Sequence, residues 1–252
     1  MAERDALVQR DPWTALRAST PARIALGRVG AGLPTAEVLR LGIAHAQARD
    51  AVHRPLDAQA LATRLAADGW PVVRVASRAS TRQHYLLRPD LGRRLDDASA
   101  ERLAALADAA RPLDLALVVA DGLSSLAAER HAAMLLAALR PLVPAAWRLG
   151  PVVVATQARV ALGDEVGERL GARIVVVAIG ERPGLSSPDG LGLYLTFAPR
   201  VGRVDAERNC ISNVRPEGLA PGQAPTRLAW LLAEAARRAL SGVALKDESG
   251  AG

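Results

Sequence analysis

The apolar run over residues 174–179 constrains the fold of this chain more than any other stretch. It is unbroken and rich in β-branched residues, a pattern typical of a strand buried on both faces in a parallel sheet. It ends at the segment 180–184, which brings charge, proline and glycine together. Because ligands of open α/β sheets bind beyond the carboxyl ends of the strands, the sequence predicts a ligand site at this turn.

Similar apolar runs alternate with segments of helical periodicity before residue 174. The predicted strands cover residues 70–76, 113–120, 151–156 and 174–179, and the helices between the last three cover 123–139 and 158–170. This alternation predicts right-handed crossovers and a mostly parallel sheet with flanking helices. A Rossmann-like α/β domain is predicted over residues 70–252. It is completed by an apolar stretch at 191–198, a polar segment around Cys210 and an amphipathic helix over 223–240.

Residues 1–69 are predicted to form an N-terminal arm followed by a helical region. Thr20 and Pro21 have the residue types of a helix start, and Thr35 is predicted to cap a longer helix that reaches about residue 51. A further helix is expected over residues 57–68, closed by Gly69. In the α/β domain, residues 77–95 are predicted to be a polar loop and 99–110 a helix capped by Ser99.

Composition excludes several classes of function. The chain of 252 residues has a net charge of +6, but its arginines are scattered and mostly stand beside acidic residues, so no nucleic-acid-binding stripe is expected. No apolar run approaches the roughly 18 residues of a membrane span, and the first twenty residues lack a secretory signal. A single cysteine cannot form an intramolecular disulfide, which fits a reducing compartment.

Known catalytic motifs are missing from the sequence. The only lysine, Lys246, is followed by Asp247, so there is no phosphate-binding loop of the Gly-Lys-Ser/Thr type. Ser124 lies in a sequence similar to a nucleophile elbow but lacks its second glycine. His45 and His53 lie on one helix face, yet no carboxylate or cysteine completes a metal site. We therefore assign no catalytic residue and no metal ligand.

Several ordered motifs nevertheless resemble one known family. They are TPARIALGRVGAGLPT from Thr20, RPDLGRRLD from Arg88, VVADGLSS from Val118, GERPGLSSPD from Gly180, YLTFAPR from Tyr194 and DAERNCISNVRPEG from Asp205. Together they span nearly the whole chain and resemble the small subunit of ethanolamine ammonia-lyase. The resemblance implies an enzyme that uses adenosylcobalamin to convert ethanolamine to acetaldehyde and ammonia through an adenosyl radical.

The same resemblance implies a division of labour between two subunits. A large subunit with a TIM barrel would bind ethanolamine and carry out the radical chemistry, and this chain would form one wall of the cofactor site in a hetero-oligomer. Many cobalamin proteins replace the cofactor's own base with the histidine of an Asp-x-His-x-x-Gly motif, which is absent from this sequence. The cofactor is therefore expected to stay base-on.

Three positions carry over from the family as cobalamin contacts: Val160, Glu181 and Cys210. Each also has a structural interpretation, namely core packing for Val160, an interaction with a helix dipole or with the neighbouring Arg182 for Glu181, and a buried, inert thiol for Cys210. Glu181 could accept hydrogen bonds from the amide side chains of a corrin ring. In the RPDLGRRLD motif, Arg88, Arg93 and Arg94 could bind carboxylates or phosphates, and in the family the motif is expected to hold the large subunit or to organise loops beside the cofactor.

The sequence leaves one alternative function open. A stand-alone α/β module that binds a nucleotide or another cofactor without catalysis would have the same pattern of strands and helices. The expected location is the cytoplasm. A location within a bacterial microcompartment stays open, because members of the family are often packaged in one. Some members carry a long N-terminal address, and only about twenty residues precede the first family motif here, which puts encapsulation in doubt.

Overall fold

A six-stranded sheet forms the centre of the protein in the computed structural model, which describes residues 7–107 and 112–250. The strands are β1 (Val72–Ala76), β2 (Leu113–Ala120), β3 (Leu149–Thr156), β4 (Ala172–Gly180), β5 (Leu191–Phe197) and β6 (Arg208–Val214). Their spatial order is β1-β3-β2-β4-β5-β6. The pairings among β1, β3, β2 and β4 are parallel, whereas β4–β5 and β5–β6 are antiparallel. The predicted α/β class with a mostly parallel sheet is confirmed.

Seven α-helices are assigned within the described residues. They are α1 (Thr35–His53), α2 (Ala58–Ala67), α3 (Arg82–Leu87), α4 (Asp97–Ala104), α5 (Ser125–Leu139), α6 (Leu162–Arg169) and α7 (Ala224–Arg238). Helices α2, α5 and α7 pack on one face of the sheet, and α4 and α6 pack on the other. The strands between these two layers are apolar on both faces, as a sheet covered twice requires.

Alternate residues of β2 serve the two hydrophobic cores separately. Leu115, Leu117 and Val119 pack with α2, α5 and α7, whereas Ala116 and Val118 pack with α4 and α6. All five side chains are at most 1% exposed. Helix α2 thus contributes to the core of the sheet, and the division of the chain at residue 69 stays a prediction.

The N-terminal region differs from its predicted structure in two places. Thr35 does not cap α1 as predicted, because it is the first residue of the helix and Pro34 occupies the N-cap position. No helix begins at Pro21, and the following segment forms turns and isolated bridges instead. The helical turn in this region is a 3-10 helix at Pro12–Ser19, where Asp11 accepts a hydrogen bond from the amide of Trp13 at 2.9 Å. Gly27 and Gly30 adopt positive φ angles, which a continuing right-handed helix does not allow.

The connection over residues 77–95 is more ordered than predicted. Thr81 caps helix α3 by accepting a hydrogen bond from the amide of His84, and Leu91–Arg93 forms a 3-10 turn. Tyr85 anchors this segment because its side chain is fully buried and its hydroxyl donates to the carbonyl of Ala158 at 3.1 Å. One buried aromatic residue was too weak a signal to separate a short helix from a loop.

Two helices on the α4–α6 face of the sheet also begin at other residues than predicted. Helix α4 begins at Asp97 and is capped by Asp96, because the Ser99 hydroxyl instead accepts from the amide of Ala76 at 3.0 Å. The predicted end of this helix, residues 108–110, lies outside the described residues. Helix α6 begins at Leu162 rather than at residue 158, which leaves residues 157–161 as a turn after β3.

The polar segment around Cys210 forms strand β6, which the sequence analysis missed. This strand lies at the edge of the sheet, and three of its residues, Cys210, Ser212 and Asn213, are exposed. An antiparallel strand that is partly exposed to solvent needs no continuous apolar run. Strands β5 and β6 therefore extend the parallel sheet by an antiparallel pair.

Candidate functional site

Polar residues follow the four parallel strands where they end. Asp121 follows β2, Gln157 follows β3 and Glu181 follows β4. All three lie at the same edge of the sheet. This is the edge at which open α/β sheets bind ligands. The turn predicted as a ligand site from the sequence is thus placed at the carboxyl edge.

Asp121 fixes the turn after β3. Its carboxylate is 1% exposed and accepts hydrogen bonds from the amides of Gln157 at 2.8 Å and Ala158 at 3.0 Å. Arg82 donates to the same carboxylate at 3.2 Å and to the carbonyl of Gly122 at 2.8 Å. Sequence reasoning missed this role, although an aspartate between a buried strand and a glycine was a signal for it.

The turn from β2 into α5 presents the first amides of a helix, which could bind an anionic or a carbonyl group. The chain itself supplies the carbonyls: the amide of Leu123 donates to Gly180 at 2.9 Å, and the hydroxyl of Ser124 donates to Pro188 at 2.8 Å. Ser124 also caps α5 and is fully buried. This turn therefore anchors the segment 180–190, and Ser124 is placed as a structural residue.

Glu181 lies at the start of that segment with its carboxylate folded back over β5. Oε2 accepts a hydrogen bond from the amide of Asn213 at 3.0 Å. A Cβ atom on Gly192 would stand only 3.0 Å from Oε1, so the absence of a side chain there makes room for the carboxylate. Burial raises the pKa of Glu181 above its ordinary value, against the lowering effect of the Asn213 amide, and no cationic partner faces it among residues 7–107 and 112–250.

Val160 and Glu181 line one cleft together with Tyr194. The cleft has a volume of about 170 Å³, and Arg159 and Arg182 also border it. Drug-sized ligands usually occupy pockets of about 300–1,000 Å³. This cleft can therefore form only part of the site for a larger molecule. Val160 is half-buried and belongs to the turn before α6, not to the helix as predicted.

Cys210 stands next to this cleft without lining it. It pairs with Tyr194 across strands β5 and β6, so the two side chains are neighbours on one face of the sheet. The residue is exposed, yet crowding by its neighbours raises the pKa of the thiol, and the negative charge of Glu181 adds to this effect. The structure thus brings the three predicted residues to one open surface, which we call the β5 surface and define as Val160, Glu181, Tyr194 and Cys210.

The chemistry of the β5 surface fits the edge of a corrin ring. One oxygen of the Glu181 carboxylate bonds to Asn213, and the described residues give the other no hydrogen-bond donor. Corrin amides are donors that such an oxygen could accept. Val160 and the ring of Tyr194 add apolar surface, and the exposed Cys210 side chain is small enough to let a flat ligand approach.

A second cleft, which we call the arginine cleft, adjoins the first at Arg159 and Val160. It has a volume of about 310 Å³, and four arginines line it: Arg93, Arg159, Arg203 and Arg208. The RPDLGRRLD motif contributes Arg93 to it, whereas Arg94 donates to Glu165 on α6 at 2.7 Å. Arg88 donates to Asp90 within the motif at 2.8 Å. The three arginines of this motif therefore have different roles.

Other kinds of site find little support in the part of the chain that the structure describes. There, no three His, Cys, Asp or Glu side chains come together in a way that could hold a metal ion. Within the same residues, no helix is both long and apolar enough to cross a membrane.

Comparisons with known proteins point to one family. A family model described as the ethanolamine ammonia-lyase light chain matches residues 10–246. A protein of Ralstonia nicotianae named ethanolamine ammonia-lyase small subunit is 58% identical, over 97% of this chain and 93% of its own length. A protein with the same name from Xanthomonas campestris is 58% identical, over 95% of this chain and 89% of its own length. Another from Pseudomonas syringae is 55% identical, over 98% of this chain and 86% of its own length.

Proposed function

The chain belongs to the ethanolamine ammonia-lyase small-subunit family, and from that premise we propose that its β5 surface forms one wall of an adenosylcobalamin site completed by a large subunit. The assembled enzyme would convert ethanolamine to acetaldehyde and ammonia and so serve ethanolamine degradation. This chain would work in the cytoplasm as part of a hetero-oligomer.

One observation carries this proposal. Val160, Glu181 and Cys210 are far apart in the sequence and come from three different elements, yet they surround one surface. That surface lies at the sheet edge where ligands of α/β folds bind. Its cleft is too small to enclose a large cofactor, which is what one wall of a shared site should look like.

The residues of the β5 surface would bind and orient the cofactor rather than react. Glu181 would accept hydrogen bonds from corrin amides through the oxygen that Asn213 leaves free. Val160 and Tyr194 would exclude water from the ring edge, and Cys210 would contact its face. When bound, adenosylcobalamin supplies the radical that starts the reaction.

No group on this surface is proposed as a general acid, general base or nucleophile. The pKa of Glu181 is raised by burial, but its carboxylate folds against Gly192 and Asn213 instead of projecting from the surface. Substrate binding and radical chemistry are therefore assigned to the large subunit. With no histidine in the base-displacing motif, the bound cofactor is proposed to stay base-on.

The experiment is reconstitution with a large subunit of the same enzyme family. The purified chain, the large subunit and the co-expressed complex are each given adenosylcobalamin and ethanolamine, and acetaldehyde is measured. Only the complex should release acetaldehyde. Acetaldehyde released by this chain alone would refute the assignment of a non-catalytic subunit, and an inactive, properly assembled complex would refute the assignment to this reaction.

The alternative of a stand-alone cofactor-binding module is tested with the same three samples. Binding of cobalamin and of adenine nucleotides is followed by equilibrium dialysis. The proposal expects cobalamin retention only when both subunits are present. Tight nucleotide binding by this chain alone would instead favour the stand-alone module.

A further inference from the structure

The arginine cleft contains four guanidinium groups, and two of them are already neutralised. Arg208 is buried and donates to Asp164 on α6 at 2.5 Å, with Asp205 at 3.4 Å on its other side. Arg203 pairs with Glu207 and donates to the carbonyl of Ala198 at 2.9 Å. These two arginines hold the loop between β5 and β6 in place.

Arg93 and Arg159 have no carboxylate partner in the part of the chain that the structure describes. The Nε atom of Arg159 is buried and makes no hydrogen bond within that part of the chain. The carboxylates of Asp164, Asp205 and Glu207 thus stand against the four guanidinium groups of the cleft. The cleft therefore keeps a net positive charge.

The guanidinium of Arg159 is held in position before any ligand arrives. It lies over the ring of Tyr85, 4.3 Å from the centroid, and its Nη2 donates to the Tyr85 carbonyl at 3.4 Å. Gly92 permits this arrangement, since a Cβ atom there would stand 2.9 Å from the Tyr85 ring and 3.0 Å from Cγ of Arg159. Arg93 follows directly and is exposed at the rim of the cleft.

A fixed, partly buried arginine beside an exposed one suits an anion with several acceptor oxygens. The planar guanidinium matches phosphate oxygens in pairs and keeps its charge at any physiological pH. The cleft is also contiguous with the β5 surface, because Arg159 and Val160 border both clefts. One ligand could therefore place a neutral, amide-rich part on the β5 surface and an anionic part in the arginine cleft.

We infer that the arginine cleft binds a phosphodiester, with Arg93 and Arg159 as its ligands, and that this group is the phosphodiester of the nucleotide tail of cobalamin. This inference rests on the proposed function. It gives the adjoining clefts different tasks: the β5 surface contacts the corrin edge and the arginine cleft binds the one anionic group of the cobalamin tail.

The test compares cobalamin with cobinamide, a corrinoid that lacks the nucleotide tail and its phosphodiester. Both are titrated by absorbance into the complex of this chain with a large subunit. The variants are Arg93→Gln, which changes an exposed side chain, and Arg159→Gln. Arg237→Gln removes an equal charge from helix α7, which lines neither cleft, and serves as the control.

Loss of one charge-assisted contact should raise the dissociation constant for cobalamin about tenfold in each variant. The constant for cobinamide should stay within about twofold of its wild-type value, and Arg237→Gln should affect neither. Size-exclusion chromatography should show intact complexes, so that the loss reflects ligand binding and not assembly.

Three outcomes would overturn the inference. Unchanged cobalamin binding in both variants would show that the arginines bind no part of the cofactor. An equal loss for cobalamin and cobinamide, or a loss of assembly, would indicate a carboxylate of the partner as the bound anion. A wild-type complex that binds neither corrinoid would refute the proposed function as well, whereas the first two outcomes leave it standing.

Discussion

Replacement of Asp121 by alanine tests the most connected residue at the carboxyl edge. The substitution leaves the amides of Gln157 and Ala158 without their acceptor and removes one partner of Arg82. Each buried donor left unsatisfied costs about 1–3 kcal/mol. Arg82 keeps its hydrogen bonds to the carbonyls of Val52 and Gly122. The loss of its ion pair therefore adds little to the decrease in the free energy of unfolding.

We therefore expect Asp121→Ala to lower the free energy of unfolding by about 3–5 kcal/mol, the range for breaking a buried pair. That is a large part of the about 5–15 kcal/mol by which domains are usually stable. Asp121→Asn keeps one acceptor oxygen and should lose about half as much. The assay is urea unfolding of the purified chain followed by far-UV circular dichroism.

The matched control is Asp97→Ala. The Asp97 side chain is 94% exposed and its nearest cation, Arg78, is 3.7 Å away, so the substitution should cost less than about 1 kcal/mol. If Asp121→Ala were no more destabilising than this control, the carboxylate would not hold the turn that carries Arg159 and Val160. The reasoning about both clefts would then lose its structural basis.

Three further predictions concern the same edge of the sheet. Burial raises the pKa of Glu181, so protonation of its carboxyl group stabilises the fold. This stabilisation is complete below the unfolded pKa of 4.5 and is lost as the pH rises through the folded pKa. The melting temperature of Glu181→Gln should therefore rise relative to that of wild type across this pH window, and a difference independent of pH would contradict the prediction. Gly180→Ala would place a Cβ 1.9 Å from the carbonyl oxygen of Ser124 and should cost more than about 3 kcal/mol in urea unfolding, whereas Gly42→Ala, which meets no atom within 4 Å, should be neutral or stabilising. Electron paramagnetic resonance of the cob(II)alamin complex made with ¹⁵N-histidine-labelled protein should show no histidine nitrogen coupled to cobalt; such a coupling would refute base-on binding.

Strands buried on both faces were the easiest part of the fold to predict. Residues 115–120 and 174–179 are covered by helices on either side, so every position had to be apolar and the run stood out in the sequence. Strand β6 could not be found in this way, because an edge strand with Cys210 and Asn213 exposed has no such constraint. Its pairing with β5 depends on tertiary contacts that no local pattern encodes.

The site was predictable to the same limited degree. The position of Glu181 followed from the end of a buried strand, since ligands of α/β folds bind there. The neighbourhood of Tyr194 and Cys210 followed from an antiparallel pairing that the sequence did not reveal. The arginine cleft was harder still, because Arg93 and Arg159 are 66 positions apart. They are brought together by tertiary contacts, among them the hydrogen bond from the Arg159 amide to the Gly92 carbonyl at 2.8 Å.

The central claim is that the β5 surface is a wall of the cobalamin site. Its most direct test is to replace Glu181 by alanine and to measure the affinity of the assembled complex for cobalamin. A charge-assisted hydrogen bond contributes about 1.5–3 kcal/mol, and each 1.4 kcal/mol changes affinity about tenfold. We expect the dissociation constant to rise about ten- to hundredfold, with Glu181→Gln in between and ethanolamine affinity unchanged. Glu217→Ala, at a carboxylate that is 70% exposed, is the control and should bind as wild type does. Wild-type affinity in a fully assembled Glu181→Ala complex would contradict the account.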